Sequence, residues 1–456
     1  MIMLKRRVFF ISLLFLGFLL CGAVLVFGQY LVNKNITISE ETVPNLVIKE
    51  GLLSTKDETV NVVRDEKVIA TIKLSKPKII AQAEKKETWG FFQFPLIYRD
   101  NTGRLIVEWH MNEDSYTAYG KGESCYLMSN DEGETWEPVK DIPLTRARRR
   151  LEYSNGDFFQ ERTPPSRDIN LYSDFPQPIN RKPIKGYLFY YEKDLPEELR
   201  GAYFTYWNSQ SNKQTFIHAS LDDPSLLRYS INGNMAVVWW GDIKEMSDGS
   251  LIAGVYGGYY KDSCDIVLNS AISFYKSIDG GFHWDALSRI LYRDENGNES
   301  IPFDGRDGFC EPEIEVLKDG TILCVMRSGN TTPMYKAYSK DGGVHWSIPE
   351  PFTSNGVMPQ MISLENGVLV LASGRPGIQL RFCLDGDGKK WTKPIEMMPF
   401  KDENGVMIVW GTCGYPSLLK IDNNSFYLVY SDFLTKNSKG EYRKSIMFRK
   451  IEVTKQ

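Results

Sequence analysis

The chain has 456 residues, with 54 Lys and Arg against 58 Asp and Glu, a formal net charge of -4. That balance excludes the strongly basic composition of a nucleic-acid-binding chain. With 42% apolar and 25% charged residues the chain has the material for a large core. Seven cysteines are too few for a disulfide scaffold of this length, and no CxxC spacing or His-rich tract signals a structural zinc site. No motif calls for a metal or an organic cofactor.

At the N-terminus Lys5, Arg6 and Arg7 precede an uncharged, mostly apolar run from Val8 to Phe27. A run of this length suits a bilayer, and the three cations orient it with everything after Gln29 exported. Val26-Phe27-Gly28 is also a possible cleavage site, so residues 1–29 read as a signal anchor or a signal peptide. The chain is therefore expected outside the cytoplasm, anchored in the membrane or secreted. Residues 30–87 are polar and rich in Lys and Glu, and read as a stalk carrying a few strands.

The remaining chain, 88–456, is organised by a repeat. Ser129-Asn130-Asp131-Glu132-Gly133-Glu134-Thr135-Trp136 recurs from Ser277 to Trp284 and from Ser339 to Trp346, as S-x-D-x-G-x-x-W. A copy with one inserted residue runs from Cys383 to Trp391, and a worn copy begins at Ser220. The aspartates of the pattern are then Asp131, Asp222, Asp279, Asp341 and Asp385. The Asp carboxylate accepts from backbone N–H groups of its own tight turn, and the glycine supplies positive φ. The pattern speaks of architecture, and its aspartates are structural.

Between these turns lie pairs of strand-like runs joined by Asn-Thr-Gly, Asp-Gly or Asn-Gly, at residues 101–103, 248–249, 319–320 and 366–367. Asp422-Asn423-Asn424 marks another pair. With one poorly marked unit at 185–222 there are six units, spaced as four-stranded blades. Residues 144–183, rich in Pro, Arg and Asn, read as an inserted loop, and Lys444 to Val453 should close the ring against an early strand. The expected fold is all-β, a six-bladed β-propeller behind an N-terminal membrane-spanning or signal segment.

These boxes and hairpins resemble the sialidase (neuraminidase) superfamily over roughly residues 88–453. The resemblance implies hydrolysis of a terminal sugar by a Tyr nucleophile, an activating Glu, an Asp acid/base and three arginines that grip a sugar carboxylate. Cys310-Glu311-Pro312-Glu313-Ile314-Glu315, running on to Arg327, is similar to the family's Glu segment. On that match Glu311 activates and Arg327 binds the carboxylate, with Glu313 and Glu315 as alternatives to Glu311 in the same segment. Gly414-Tyr415-Pro416 resembles the nucleophile segment, and Gly374-Arg375-Pro376 lies where another arginine belongs. The acid/base falls best on Asp114, with Glu108, Asp242 and Asp307 as rivals. At the family's first arginine this chain reads Phe92-Gln93-Phe94-Pro95, so Gln93 stands for the cation and Arg146, Arg148, Arg149 or Arg150 are the substitutes available.

A free tyrosine, with a pKa near ~10, needs a carboxylate to take its proton before it can attack. Arginine's planar fork matches a carboxylate with two parallel bonds. The resemblance implies a retaining exo-glycosidase acting on a terminal acidic or otherwise unusual sugar of an extracellular glycan. The substitution at Gln93 keeps a non-catalytic glycan-binding protein as the alternative. Trp239 and Trp240 read as core packing or as a sugar-stacking wall. Asn35, Asn298 and Asn330 each begin an N-x-S/T glycosylation pattern.

Overall fold

In the computed structural model the described residues are 47–48 and 57–456, apart from 101, 115–122, 140–149, 154, 185, 257–258, 262–265, 268–270, 293–307 and 403. The expected N-terminal segment, Arg146, Arg148, Arg149 and Asp307 lie outside them. Among the described residues the chain is all-β, with three short 3-10 turns and no helix long and apolar enough to cross a membrane.

Six antiparallel sets of strands follow one another along the chain. The first holds Phe91–Arg99, Leu105–Met111, Ser124–Ser129 and Glu137–Pro138. The second holds Arg150–Glu152, Phe158–Arg162, Ala202–Asn208 and Lys213–Asp222. The third holds Trp239–Glu245, Leu251–Tyr256, Ile272–Ser277 and His283–Ile290. A short parallel pairing of Ser220–Asp222 with His283–Asp285 joins these two into one eight-stranded sheet. The fourth begins with Cys310–Val316 and the fifth with Val357–Ser363, each of four strands. The sixth runs Ser417–Lys420, Ser425–Lys436 and Tyr442–Lys455, and takes Lys67–Leu74 and Lys78–Gln82 from the other end of the chain.

The expected pairing of the last strand with an early strand is present, and the few strands expected within 30–87 include Glu58–Arg64 and Lys67–Leu74. The unit at 185–222 needs correction. Its first two strands lie inside the stretch read as inserted loop, at Arg150–Glu152 and Phe158–Arg162. Leu188–Tyr191 pairs elsewhere, with Leu226–Ile231 in a separate five-stranded sheet carrying its own aromatic core of Phe189, Tyr229 and Tyr187. Pattern alone does not separate these readings, because both stretches are short and rich in aromatics.

The first strands of the sets pack side by side. Arg150–Glu152 touches Trp239–Glu245, which touches Cys310–Val316, then Val357–Ser363, Ser417–Lys420 and finally Phe91–Arg99. Apolar clusters fill the spaces between successive sets, as with Ile272, Phe274, Ile314 and Ile322 between the third and fourth.

The repeat turns act as clasps between sets. Asp131 Oδ1 accepts from Ser129 Oγ and Thr135 N at 2.8 Å each, while Gly133 N donates back to Ser129 Oγ at 2.8 Å. The second copy repeats the geometry through Ser277, Asp279, Gly281 and His283. Gly133 and Gly281 have φ of 86° and 93°, and a Cβ there would lie 2.4 Å from Phe448 and 2.5 Å from Phe159, rings of the adjoining set. Glycine is required twice over, for conformation and for room. Trp284 is fully buried and donates to Gly281 O at 3.1 Å. Trp284→Ala should lower stability by about 3–5 kcal/mol in urea unfolding; a loss below about 1 kcal/mol would refute the clasp.

Two repeat aspartates are reassigned. The residue inserted in the fourth copy moves the turn carboxylate to Asp387, which accepts from Lys389 N at 2.9 Å, while Asp385 reaches Arg64 at 3.4 Å. In the worn copy Asp222 lies within a strand and Asp223 makes the turn, accepting from Ser225 N and from Tyr275 Oη.

Asp432 marks a bulge in the sixth set. Burial pushes its carboxyl up to about 6, although Leu434 N donates to it at 2.7 Å. A carboxyl raised in the folded state holds its proton better there than when unfolded. Its destabilisation is absent below the unfolded value, grows through the interval up to pH 6 and is complete above it. Asp432→Asn should therefore stabilise the protein by about 1–2 kcal/mol at pH 7 and change little near pH 3.5, measured by thermal unfolding at the two pH values.

Candidate active site

Three of the first strands carry a residue-Pro pair at a bulge, Phe94-Pro95, Glu311-Pro312 and Met358-Pro359, and Tyr415-Pro416 lies just before a fourth. Phe94, Glu311 and Met358 have φ of 55°, 50° and 47°, and Arg375, on the neighbouring turn, has 50°. Left-handed backbone at non-glycine residues costs about 1–3 kcal/mol each and persists where the surroundings enforce it, often at functional sites. Here it turns the side chains of Phe94, Glu311 and Arg375 and the N–H of Met358 toward one place.

Tyr415 Oη donates a short hydrogen bond to Glu311 Oε1. Arg327 Nη1 donates to the same oxygen at 2.8 Å and lies 3.4 Å from Tyr415 Oη. The other oxygen of Glu311 accepts from Met358 N at 2.9 Å. Arg327 is completely buried and Glu311 is 4% exposed, whereas Tyr415 is only half-buried. A deeply placed carboxylate thus holds the hydroxyl of a reachable tyrosine. Burial opposes the charge on Arg327, but Glu311 and then Tyr415 outweigh it and hold the guanidinium above its ordinary pKa.

Arg375 donates through Nη2 to Cys413 O at 2.9 Å and through Nη1 to Asn330 Oδ1 in a short bond. Its guanidinium lies 4.8, 5.7 and 5.8 Å from the ring centroids of Trp410, Trp89 and Tyr415. Burial, joined by repulsion from Arg327, lowers its pKa despite Tyr415. Gly414, φ 78°, lets the chain pass Arg375: a Cβ there would stand 2.8 Å from Arg375 Cγ.

Asp114 joins the group at its rim, where Trp89 Nε1 donates to Asp114 Oδ2 at 2.9 Å. Trp89 and Trp410 meet edge to face at 5.6 Å, and Trp410 is 56% exposed. The rivals have other work. Glu108 accepts from Ser124 Oγ, and Asp242 accepts from Ile314 N while pairing with Lys244, which also meets Glu315. Glu313 accepts from Met361 N at 2.8 Å. Trp240 packs in the core against Phe204 and Trp284.

Gln93 is fully buried, and with its amide oxygen so turned it accepts from Gly90 N at 3.2 Å and Lys444 Nζ at 3.0 Å. Burial lowers the Lys444 pKa to about 8. Beside Gln93 it is Phe94 whose ring meets Tyr415, edge to face at 5.0 Å. Glu311, Arg327, Arg375, Tyr415 and, through Trp89, Asp114 are therefore brought together, while Gln93 is held by Lys444 behind them. The sequence reading missed Trp89, Trp410 and Asn330. The repeated residue-Pro pairs would have aligned the bulges, but no sequence signal ties Asn330 to two arginines. The five cysteines described, Cys125, Cys310, Cys324, Cys383 and Cys413, are free thiols.

Residues 182–428 match the family model of the BNR repeat-like domain, and the chain belongs to that family. Among solved structures, the chain is similar to a protein of unknown function from Dyadobacter fermentans. The two share 15% identity over 83% of this chain and 99% of that one, with a TM-score of 0.52, a likeness of fold. A Hadza microbial sialidase shares 16% identity over 88% of this chain and 74% of its own, with a TM-score of 0.48. The NanB sialidase from Streptococcus pneumoniae shares 16% over 82% and 70%, with a TM-score of 0.44. No curated protein matches the sequence.

Proposed function

We propose that this chain is a six-bladed β-propeller and a retaining exo-glycosidase of sialidase type. Six sets of strands whose first members pack in chain order support the architecture. The observation that carries the activity is Tyr415 Oη bonded to Glu311 with Arg327 on the same carboxylate oxygen.

In this reading Glu311 takes the phenolic proton as Tyr415 Oη bonds to the anomeric carbon, and Asp114 gives a proton to the departing glycosidic oxygen. Asp114, now a carboxylate, then takes a proton from water, which attacks the anomeric carbon. The bond to Tyr415 breaks and Glu311 returns its proton. Arg327 holds Glu311 in place, and Arg375 with the Trp89–Trp410 wall positions the sugar. The apolar run behind Lys5-Arg6-Arg7 supports export to an extracellular glycan, from an anchor or after cleavage.

The test is hydrolysis of a fluorogenic sialoside beside a panel of other terminal glycosides. Release of the fluorophore from at least one supports the reading. The neutral Gln93 where the family has a cation favours one alternative, a protein that binds glycans without cleaving them. Saturable sugar binding without release from any glycoside would select it.

A further inference from the structure

Two buried guanidinium groups in the site converge on one neutral oxygen. Arg327 Nη2 donates to Asn330 Oδ1 at 2.7 Å, and Arg375 Nη1 donates to the same atom. Arginine forks that meet at a point form a seat for an anion, because a carboxylate offers the guanidinium groups paired acceptor oxygens and a full opposite charge that a neutral acceptor lacks. Here an amide of the protein itself fills the seat. Three of the other donors are committed, Arg327 Nε to Gly329 O at 3.0 Å, Arg327 Nη1 to Glu311 and Arg375 Nη2 to Cys413 O, while Arg375 Nε is buried without an acceptor among the described residues.

Exposure points the same way. Arg327 and Arg375 are 0% and 4% exposed, whereas Asn330 is half-buried. An entering ligand meets the amide before either guanidinium. We propose that Asn330 is a specificity-determining residue that competes with a sugar's carboxylate for Arg327 and Arg375, and so weakens the site's hold on anionic sugars. An incoming carboxylate must displace the amide oxygen, and a neutral sugar need not. The same hold on its side chain gives Asn330 a role other than the glycosylation acceptor its Asn-Thr-Thr pattern suggests. The proposal rests on the reading of this site as a sugar site, but not on turnover.

The test is calorimetric binding of N-acetylneuraminic acid and of its methyl ester, which keeps the shape and removes the charge. In full-length Asn330→Gly the acid should bind at least about tenfold tighter than in the native protein, with the ester unchanged. Asn330→Asp, which sets a permanent carboxylate in the seat, should bind the acid at least about tenfold more weakly than Asn330→Gly. It serves as the second reading if the glycine variant unfolds: native protein that binds the acid no better than it binds the ester supports the competition, provided the aspartate weakens acid and not ester. Acid affinity that is unchanged or lower in Asn330→Gly, or a gain shared equally by the ester, would overturn the proposal. Because binding is read directly, a protein that hydrolyses nothing in the glycoside panel still decides it.

Discussion

Tyr415→Phe should reduce turnover of whichever glycoside the native protein cleaves by about three orders of magnitude or more, with little change in Tm. The phenyl ring keeps its edge-to-face contact with Phe94 and its place beside Arg375, so packing is preserved. What is lost is the oxygen that bonds to Glu311 and would bond to the sugar. Removing a covalent nucleophile is among the most damaging single changes an active site can suffer. Initial rates and thermal melts of the two proteins measured together separate chemistry from folding. A variant retaining a tenth of the native rate would mean that Tyr415 is no nucleophile.

Glu311 should show the opposite division between folding and chemistry. Glu311→Ala strands a completely buried Arg327 without its carboxylate and leaves Met358 N without its acceptor. Breaking one side of a buried ion pair costs about 3–5 kcal/mol, so urea unfolding should reveal a severe loss. Glu311→Gln keeps the shape and one acceptor oxygen. It should lose less stability yet lower kcat by about a hundredfold or more, because an amide cannot take the phenolic proton. Equal kinetic defects without any stability difference between the two variants would contradict the buried pairing.

The repeat turns were readable in the sequence because their chemistry is local: serine, aspartate, glycine and tryptophan contact one another within eight residues. Where a residue was inserted, local reading chose Asp385 and the folded turn chose Asp387, since the carboxylate must face the N–H of Lys389. Asp223 displaced Asp222 because its partners Tyr275 and Arg289 come from the next set of strands. The strands at 150–162 were hidden in a stretch whose prolines and arginines read as loop, and the five-stranded sheet has no repeat to announce it.

The site was legible where motif and bulge coincide. Glu311 and Tyr415 each precede a proline, in or just before the first strand of a set, and the fold sets them in contact across 104 positions of sequence. In the first set the residue before proline is Phe94, whose ring meets the tyrosine, while the side chain of Gln93 turns to Lys444. Asn330 follows Arg327 closely and still gave no signal, because its meaning lies in Arg375, a residue of the next set.

The most direct measurement is proton NMR of the sugar first released from a cleaved glycoside by the full-length protein. Attack by Tyr415 followed by water inverts the anomeric carbon twice, so the account predicts a first-formed product with the substrate's anomeric configuration. Product of inverted configuration would contradict the covalent tyrosine, and with it the function assigned to the Glu311–Tyr415 pair.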